Sequence, residues 1–424
     1  MSAFARVLCA AAALTCVAAP SATPASAPAT RQVVVSYRSA EQLAALERSG
    51  ARIVRTLSAL RSAVVETSRP LAGPQPVLRR ALIVDEPALA ETYLPGIAWE
   101  WQWDAARVGE VPDWILRAAS SVTVAVIDSG ADLRAPDLAD KSPATWSVLG
   151  RSRRVRDRLG HGTFVSSLAA GSVGNGVGIS GFGGDAKLLV VQAIDADGYI
   201  TDVDEAAAIV YAVKHGAKIV NLSIGGLETS AIERRAIHWA FRHGALIVAA
   251  AGNEHDEGNP VEYPAALLQP VGSRGRGGIG LAVGATSMDG NRAYFSNTGS
   301  YVSLAAPGYN VFAAESGDSD WPRADLPWQS PGYYGWASGT SFAAPEVAGV
   351  AALVWGANPR LTPRQVARVL KQSARGTTWN PELGWGRLDA AAAVELALQT
   401  RGGALRNVSR LGHEPRPSHS SPPS

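Results

Sequence analysis

Four stretches of this chain, "SVTVAVIDSG", "AKLLVVQAID", "AKIVNLSIGG" and "GALIVAAAGN", are apolar almost without interruption, and each stops at a small or polar cluster. A strand with one wet face alternates apolar and polar residues. A strand apolar at every position needs cover on both faces, which means a parallel sheet between helical layers. Helical segments separate the runs. "TDVDEAAAIVYAVKHG" has Thr201 as a cap, acids in its first turn and Gly216 as its stop, and "ETSAIERRAIHWAFRHG" stops at Gly244. "GIGLAVGATS" and "YVSLAAPGYN" read as further strands, and "TPRQVARVLKQSA" and "LDAAAAVELALQT" as closing helices. This alternation predicts an α/β fold with a doubly wound, mostly parallel sheet and right-handed crossovers.

The sheet does not account for the whole chain of 424 residues. Arg31 to about Glu86 reads as a small α+β unit. "RQVVVSYRS" and "SAVVETS" are strand-like, "AEQLAALERSG" is a helix ending at Gly50, and "RRALIVDEP" is expected to be a closing strand. "ALAETYLPGIAWEWQWD" then reads as an extended connector. At the front, Arg6 precedes an apolar run from Val7 to Ala19, followed by small residues and Pro. That pattern predicts a signal peptide over residues 1–27 and a secreted protein. No later run is expected to reach the length of a membrane span. The expected divisions are therefore 1–27, 31–90 for the small unit, 98–400 for the large domain, and a Pro/Ser-rich, disordered tail at 401–424.

Two function classes fall away on composition. Both cysteines, Cys9 and Cys16, lie in the leader, so the remaining chain has no disulfide and no thiolate chemistry. The 39 basic and 37 acidic residues nearly balance, which gives no basic face for nucleic acid.

Functional groups in open α/β sheets gather at the carboxyl ends of the strands. Asp128 ends "VTVAVID" and Asn253 closes "LIVAAAGN". Taken singly, each is an ordinary turn former. His161, between two glycines in "DRLGHGTFVSSLAAG", enters a small-residue helix, where a lone histidine is as readily a cap. Ser341 opens the apolar helix of "GTSFAAPEVAGVAALVWGAN", where Ser341 or Thr340 serves equally as an N-cap. A nucleophilic serine needs a base, an orienting acid and an oxyanion donor. All four bland readings holding together at one sheet edge is the less economical account.

In that order, "VAVIDSG", "GHGT", "AAAGN" and "GTSFAAPEVAG" resemble the four signatures of the subtilisin family of serine proteases, over roughly Trp101 to Ala397. The resemblance implies a subtilisin-like fold preceded by an inhibitory propeptide at 31–90. It implies a secreted serine endopeptidase made as an autoprocessed zymogen, and a monomer. Asp128 would orient His161, His161 would serve as base and then acid, Ser341 as nucleophile, and Asn253 as oxyanion donor. Ser223, Ile224, Gly225 and Gly226 resemble the strand that pairs with an extended peptide substrate, as β-addition requires. Asp137 and Asn175 match side-chain ligands of the family's calcium site, with Val177 and Ile179 adding carbonyls and Gln102 a weaker third side chain. A plain Gly-rich turn is the alternative there. Glu262, before Tyr263-Pro264, falls at the base of the primary specificity pocket, with Glu254 on its rim. That placement suggests Arg or Lys before the scissile bond, yet no basic residue lies between Arg80 and Arg107, where a propeptide cut is expected.

Three positions depart from the family pattern. Phe164 and Glu346 each stand where a histidine is frequent, and Phe342 where methionine is common. The stretches "SRRVRDRLG" and "ESGDSDWPRADLPWQSPGYYGW" are unusually long. The first is expected to be a solvated loop, and the second a lid or a surface insertion. An inert peptide-binding relative is the second reading, opposed by the intact triad. A nucleotide-binding protein is excluded, because no G-x-G-x-x-G opens a helix after the first strand and no Walker sequence occurs.

Overall fold

The computed structural model describes residues 31–68, 71, 75–76, 79–81, 99–326 and 332–400. The leader, the tail and most of the connector lie outside the described residues.

The small unit contains β1 (Arg31–Ser36), α1 (Ala40–Arg48), β2 (Arg52–Leu57), β3 (Ser62–Thr67) and β4 (Gln75–Pro76), with strand order β2-β3-β1-β4. Its three consecutive valines, Val33 to Val35, do not alternate with polar residues, and the packing explains why. Val33, Val35, Ala63 and Val65 face Leu43 and Leu46 of α1. Val34, Val64 and Leu60 point the other way, into the core of the large domain. Covered on both faces, the sheet has no wet side to select for.

The expected closing strand is corrected here. The described part of "RRALIVDEP", β5 (Arg79–Ala81), does not join the small sheet. It pairs antiparallel with β9 (Tyr199–Thr201) of the large domain, Arg80 opposite Ile200. The small sheet ends instead at β4, beside β1, and by Arg79 the chain pairs with the large domain. The connector is also not extended throughout, since Trp101–Ala105 forms a short helix, α2.

After α3 (Asp113–Ala118), the large domain alternates strands and helices: β6 (Thr123–Asp128), α4 (Pro136–Ala139), β7 (Ala144–Ser147), α5 (His161–Ala170), β8 (Lys187–Gln192), β9, α6 (Asp202–Lys214), β10 (Ile219–Leu222), α7 (Ala231–Arg242), β11 (Leu246–Ala250), α8 (Ala265–Leu268), β12 (Gly280–Thr286) and β13 (Leu304–Pro307). A hairpin of β14 (Val311–Glu315) and β15 (Tyr333–Ala337) leads into α9 (Thr340–Ala357), α10 (Pro363–Ser373) and α11 (Ala390–Gln399). Seven strands form one sheet in the order β13-β12-β11-β10-β6-β8-β7, and every neighbouring pair is parallel. In β6, Val124 and Val126 enter the layer of α5 and α9, while Ala125 and Ile127 enter the layer of α6 and α7. The strand is apolar throughout because successive side chains serve opposite layers.

The helix caps follow the sequence. Thr201 accepts from the Asp204 N–H at 3.1 Å, and Ser230 forms a capping box with Glu233. One expectation on length fails: α9 has 18 residues and is apolar enough to span a membrane. All of it is buried inside the protein, so its composition serves the core.

Candidate active site

The winding of the sheet reverses at the β6–β10 border. From β6 the order runs outward through β8 to β7, and from β10 through β11 and β12 to β13. In open α/β sheets such a border is where the loops diverge and binding groups gather, at the strands' carboxyl ends. Asp128 is the last residue of β6, Ser223 follows β10, and Asn253 lies just beyond β11. The α9 helix crosses beneath these ends and brings Ser341 as its second residue.

Asp128 and His161 are wholly buried, and His161 Nδ1 lies 2.8 Å from Asp128 Oδ1. The Ser129 N–H donates to the same oxygen at 2.7 Å. The approach is close because of Gly162. A Cβ there would sit 2.2 Å from the Gly130 carbonyl oxygen, so glycine alone lets α5 start against the Asp128 turn. With Nδ1 committed to a carboxylate, the ring presents Nε2, which is buried and has no hydrogen-bond partner. The ring lies 5.6 Å from that of Phe342, the residue after Ser341.

Ser341 is not a cap. Gly339 takes the N-cap position of α9, with no side-chain bond to the helix. Thr340 works sideways, accepting from the Gly252 N–H at 3.1 Å and donating its hydroxyl to Asn253 Oδ1 at 3.0 Å. The Thr340 N–H also donates to Asn253 Oδ1, at 2.8 Å. Two donors on Oδ1 fix which way the amide faces, so Asn253 Nδ2 points elsewhere, buried and without a partner. An unpaired N–H₂ beside the start of an 18-residue helix can hold a developing oxyanion.

The candidate substrate strand continues from β10. Ser223 Oγ donates to the Ser341 carbonyl at 2.6 Å, and Ile224 is fully buried. Gly225 leads to Gly226, which exchanges two backbone bonds with Tyr263, at 3.0 and 2.9 Å. That bridge ties the strand to the loop holding Glu262 and the cis Tyr263–Pro264 bond. Glu262 is 3% exposed, so it does not swing into solvent. Gly252 makes room for it: a Cβ there would lie 3.0 Å from the Glu262 carboxyl carbon. Burial, reinforced by the Glu262 charge, pushes the Tyr301 phenol well above its ordinary range.

The candidate calcium residues also meet. Asp137 is buried, takes a 2.7 Å bond from the Tyr334 hydroxyl, and is approached by the Ile179 N–H and by Asn175. Asp137 Oδ1 and Gln102 Oε1 are buried without a partner. A Cβ on Gly178 would collide with the Asp137 carboxylate, so the loop carrying Val177 and Ile179 runs directly over it. Burial pushes the Asp137 carboxyl up to about 6. Orphaned hard oxygens under a Gly-rich loop fit a calcium ion. No group of three or more His, Cys, Asp or Glu forms a metal cluster among the described residues, so carbonyls would complete the shell.

Sequence reasoning missed three residues. Thr340, read only as a possible cap, orients Asn253. Asp157, the one acid in the Arg-rich stretch, is fully buried, which corrects the reading of that stretch as simply solvated. Its carboxylate accepts from the Ser129 hydroxyl (2.8 Å), the Gly160 N–H (2.9 Å), and the Thr163 N–H and hydroxyl (2.7 and 2.6 Å). It thereby joins the Asp128 turn to the start of α5. Burial pushes this carboxyl up, the Thr163 and Ser129 bonds pull it back, and the Asp128 charge adds to the rise. The third is Trp321, 6.4 Å from the His161 ring. Two of the departures from the family pattern compensate each other, since Phe164 and Phe342 pack at 4.6 Å. Glu346, the other departure, is buried with both oxygens unpartnered, and burial and the nearby Glu100 push its carboxyl well up.

The sequence matches the model of the subtilase family over residues 119–386. Thermitase of Thermoactinomyces vulgaris is 31% identical over 300 residues, covering 69% of this chain and 96% of thermitase. A thermophilic serine proteinase of Bacillus sp. (strain AK1) is 34% identical over 241 residues, covering 57% of this chain and 53% of that protein. The crystal structure of fervidolysin from Fervidobacterium pennivorans, a keratinolytic enzyme related to subtilisin, superimposes with a TM-score of 0.72 at 24% identity. That match covers 88% of this chain and 62% of fervidolysin.

Proposed function

The chain belongs to the subtilase family of serine-type endopeptidases, and from that premise we propose that it is a secreted protease, made as a zymogen, that cleaves extended peptides through Asp128, His161 and Ser341. One observation carries the reading: the imidazole is held by Asp128 through Nδ1, leaving Nε2 unpaired and buried beside the helix that starts with Thr340 and Ser341. In this mechanism Ser341 Oγ attacks the scissile carbonyl while His161 Nε2 takes its proton. Asp128 keeps the ring in the right tautomer and stabilises the imidazolium. Asn253 Nδ2–H and the Ser341 N–H hold the oxyanion. The collapsing intermediate expels the amine, which receives the proton from His161. Water then repeats the sequence to free the acyl group.

The substrate would run along Ser223–Gly226, with Glu262 giving the pocket an acidic floor that suits Arg or Lys. The propeptide reading is supported by the shared core at Val34, Leu60 and Val64, by the Arg235–Ser62 bond, and by the β5–β9 pairing. Secretion rests on the leader alone. Calcium, held by Asp137, Asn175, Gln102 and the carbonyls of Val177 and Ile179, would be structural. Chelation should then lower the melting temperature, since a ligand bound only by the folded state stabilises it. Unchanged melting with no calcium by elemental analysis would remove that site.

The decisive experiment compares wild type with Ser341→Ala. Wild type should react with a fluorophosphonate at Ser341 and shed the small unit. The variant should do neither and should leave casein intact. A Ser341→Ala protein that matures alone and cleaves casein overturns the assignment.

A further inference from the structure

The segment between β14 and β15 was expected to be either a lid or a surface insertion, and its described residues, 316–326, are neither free nor peripheral. Leaving Glu315, it is bolted to the loops around His161. The Ser316 hydroxyl donates to the Asp157 carbonyl at 2.6 Å, and the Gly317 N–H donates to Asp132 at 2.9 Å. Asp318 bridges Arg134 and Arg156, at 3.2 and 2.9 Å. Ser319 sits on Gly160, where a Cβ would come within 2.9 Å of its hydroxyl. On the return, Arg323 lies 3.6 Å over the Tyr333 ring and the Ala324 N–H donates to Tyr334 at 2.7 Å. Between these anchors, Trp321 packs 6.4 Å from His161, 6.4 Å from Phe342 and 6.0 Å from Phe164.

We propose that Trp321, presented by this strap, forms the wall of the subsite for the residue that follows the scissile bond, and restricts it to small side chains. The inference rests on the triad reading above. His161 Nε2 must hand its proton to the departing amine, so the departing residue lies against the His161 ring. The other flank of Ser341 is taken by Asn253 and the Ser223–Gly226 strand. Phe342 and Trp321 stand on the His161 side, where the departing side chain must go. Both rings approach that of His161, and two aromatic rings tied into the fold do not yield cheaply.

The test is a set of peptides differing only in the residue after the cut. Wild type should cleave before Gly, Ala or Ser at least about tenfold better, in kcat/KM, than before Leu or Phe, a range typical of steric discrimination by a pocket. Trp321→Ala should shrink that ratio about tenfold, and Trp321→Phe should restore most of it. The ratio is internal to each protein, so a lower overall rate does not disturb it. Acyl transfer by wild type needs no variant: glycinamide should capture the acyl-enzyme far better than phenylalaninamide. If wild type reacts normally with a fluorophosphonate but shows equal ratios, or if Trp321→Ala leaves the ratio unchanged, the wall is wrong and the triad stands. Failure of wild type to react at Ser341 removes the triad assignment, and this inference with it.

Discussion

On one flank of Ser341 the groups lining the site follow the ends of parallel strands; on the other, the residues that support His161 hang from loops. Asn253 and Ser223 lie one to three residues beyond β11 and β10, so the sheet places their backbone, and Thr340 of α9 turns the Asn253 amide. Asp157 and Trp321 have no such backing. Asp157 is held by Ser129, Gly160 and Thr163, and Trp321 by a strap whose anchors include surface ion pairs. The strand side is therefore set by the fold and the loop side by side-chain chemistry. A change on the first should cost rate with little loss of stability, while a change on the second should cost stability or selectivity.

The largest effect tests the strand side. Asn253→Ala should lower kcat by about 10²–10³ with KM nearly unchanged, the loss known for the corresponding donor of subtilisin itself. A loss below about fivefold would mean that the amide does not meet the oxyanion. Next comes the loop side. Asp157→Ala strands two hydroxyls and two buried N–H groups, a penalty of about 3 kcal/mol. For a domain of this size that is a fall in melting temperature of roughly 5–10 °C. Unaltered melting would show the four bonds to be dispensable and erase the contrast.

The four residues proposed for the chemistry are legible in the sequence for a physical reason. A fully apolar strand must stop where its cover stops, so Asp128 and Asn253 mark sheet ends by contrast with their neighbours. The doubly wound topology then brings those ends to one edge without further information. Phe164 and Phe342 were visible only as separate departures, because nothing in one sequence says that positions 164 and 342 touch. Trp321 was illegible for the same reason in stronger form, since a loop lacks periodicity and only folding shows what it crosses. Asp157 was hidden by its company: five arginines nearby argue for solvent, yet the carboxylate turns inward. The handover of β5 to another sheet could not be read either, because Arg79–Ala81 is as strand-like in one pairing as in the other.

A third prediction sharpens the strand side. Glu262→Gln should reduce any preference for Arg over Leu before the scissile bond by about tenfold, the scale of one charge-assisted bond. If wild type already prefers Phe or Leu and the ratio does not move, Glu262 plays no part in selection. The smallest effect concerns the root of the strap. Glu315 is buried with both oxygens unpartnered, and burial pushes its carboxyl up to about 8, against a slight pull from Arg323. The folded protein thus keeps the proton up to about pH 8, whereas the unfolded chain releases it near 4.5. Folding takes up a proton in that window, so stability falls as pH rises from 4.5 through 8. Glu315→Gln should raise the melting temperature by a few degrees at pH 9, roughly 2–4 °C per kcal/mol, with the gain fading toward pH 5. A gain equal at both pH values would show that ionisation is not the cause.

The placement of Val34, Leu60 and Val64 in the layer of α6 and α7 has a consequence that concerns dilution. While one chain carries both units, the small sheet meets those helices at an effective concentration on the order of millimolar. On the zymogen reading proposed above, a cut in the connector would leave the same surfaces to find each other from solution. Their occupancy would then follow the protein's actual concentration. Where copies are crowded the small unit would keep its place on α6 and α7, and on dilution it would leave. The contact would thereby report how concentrated the protein is.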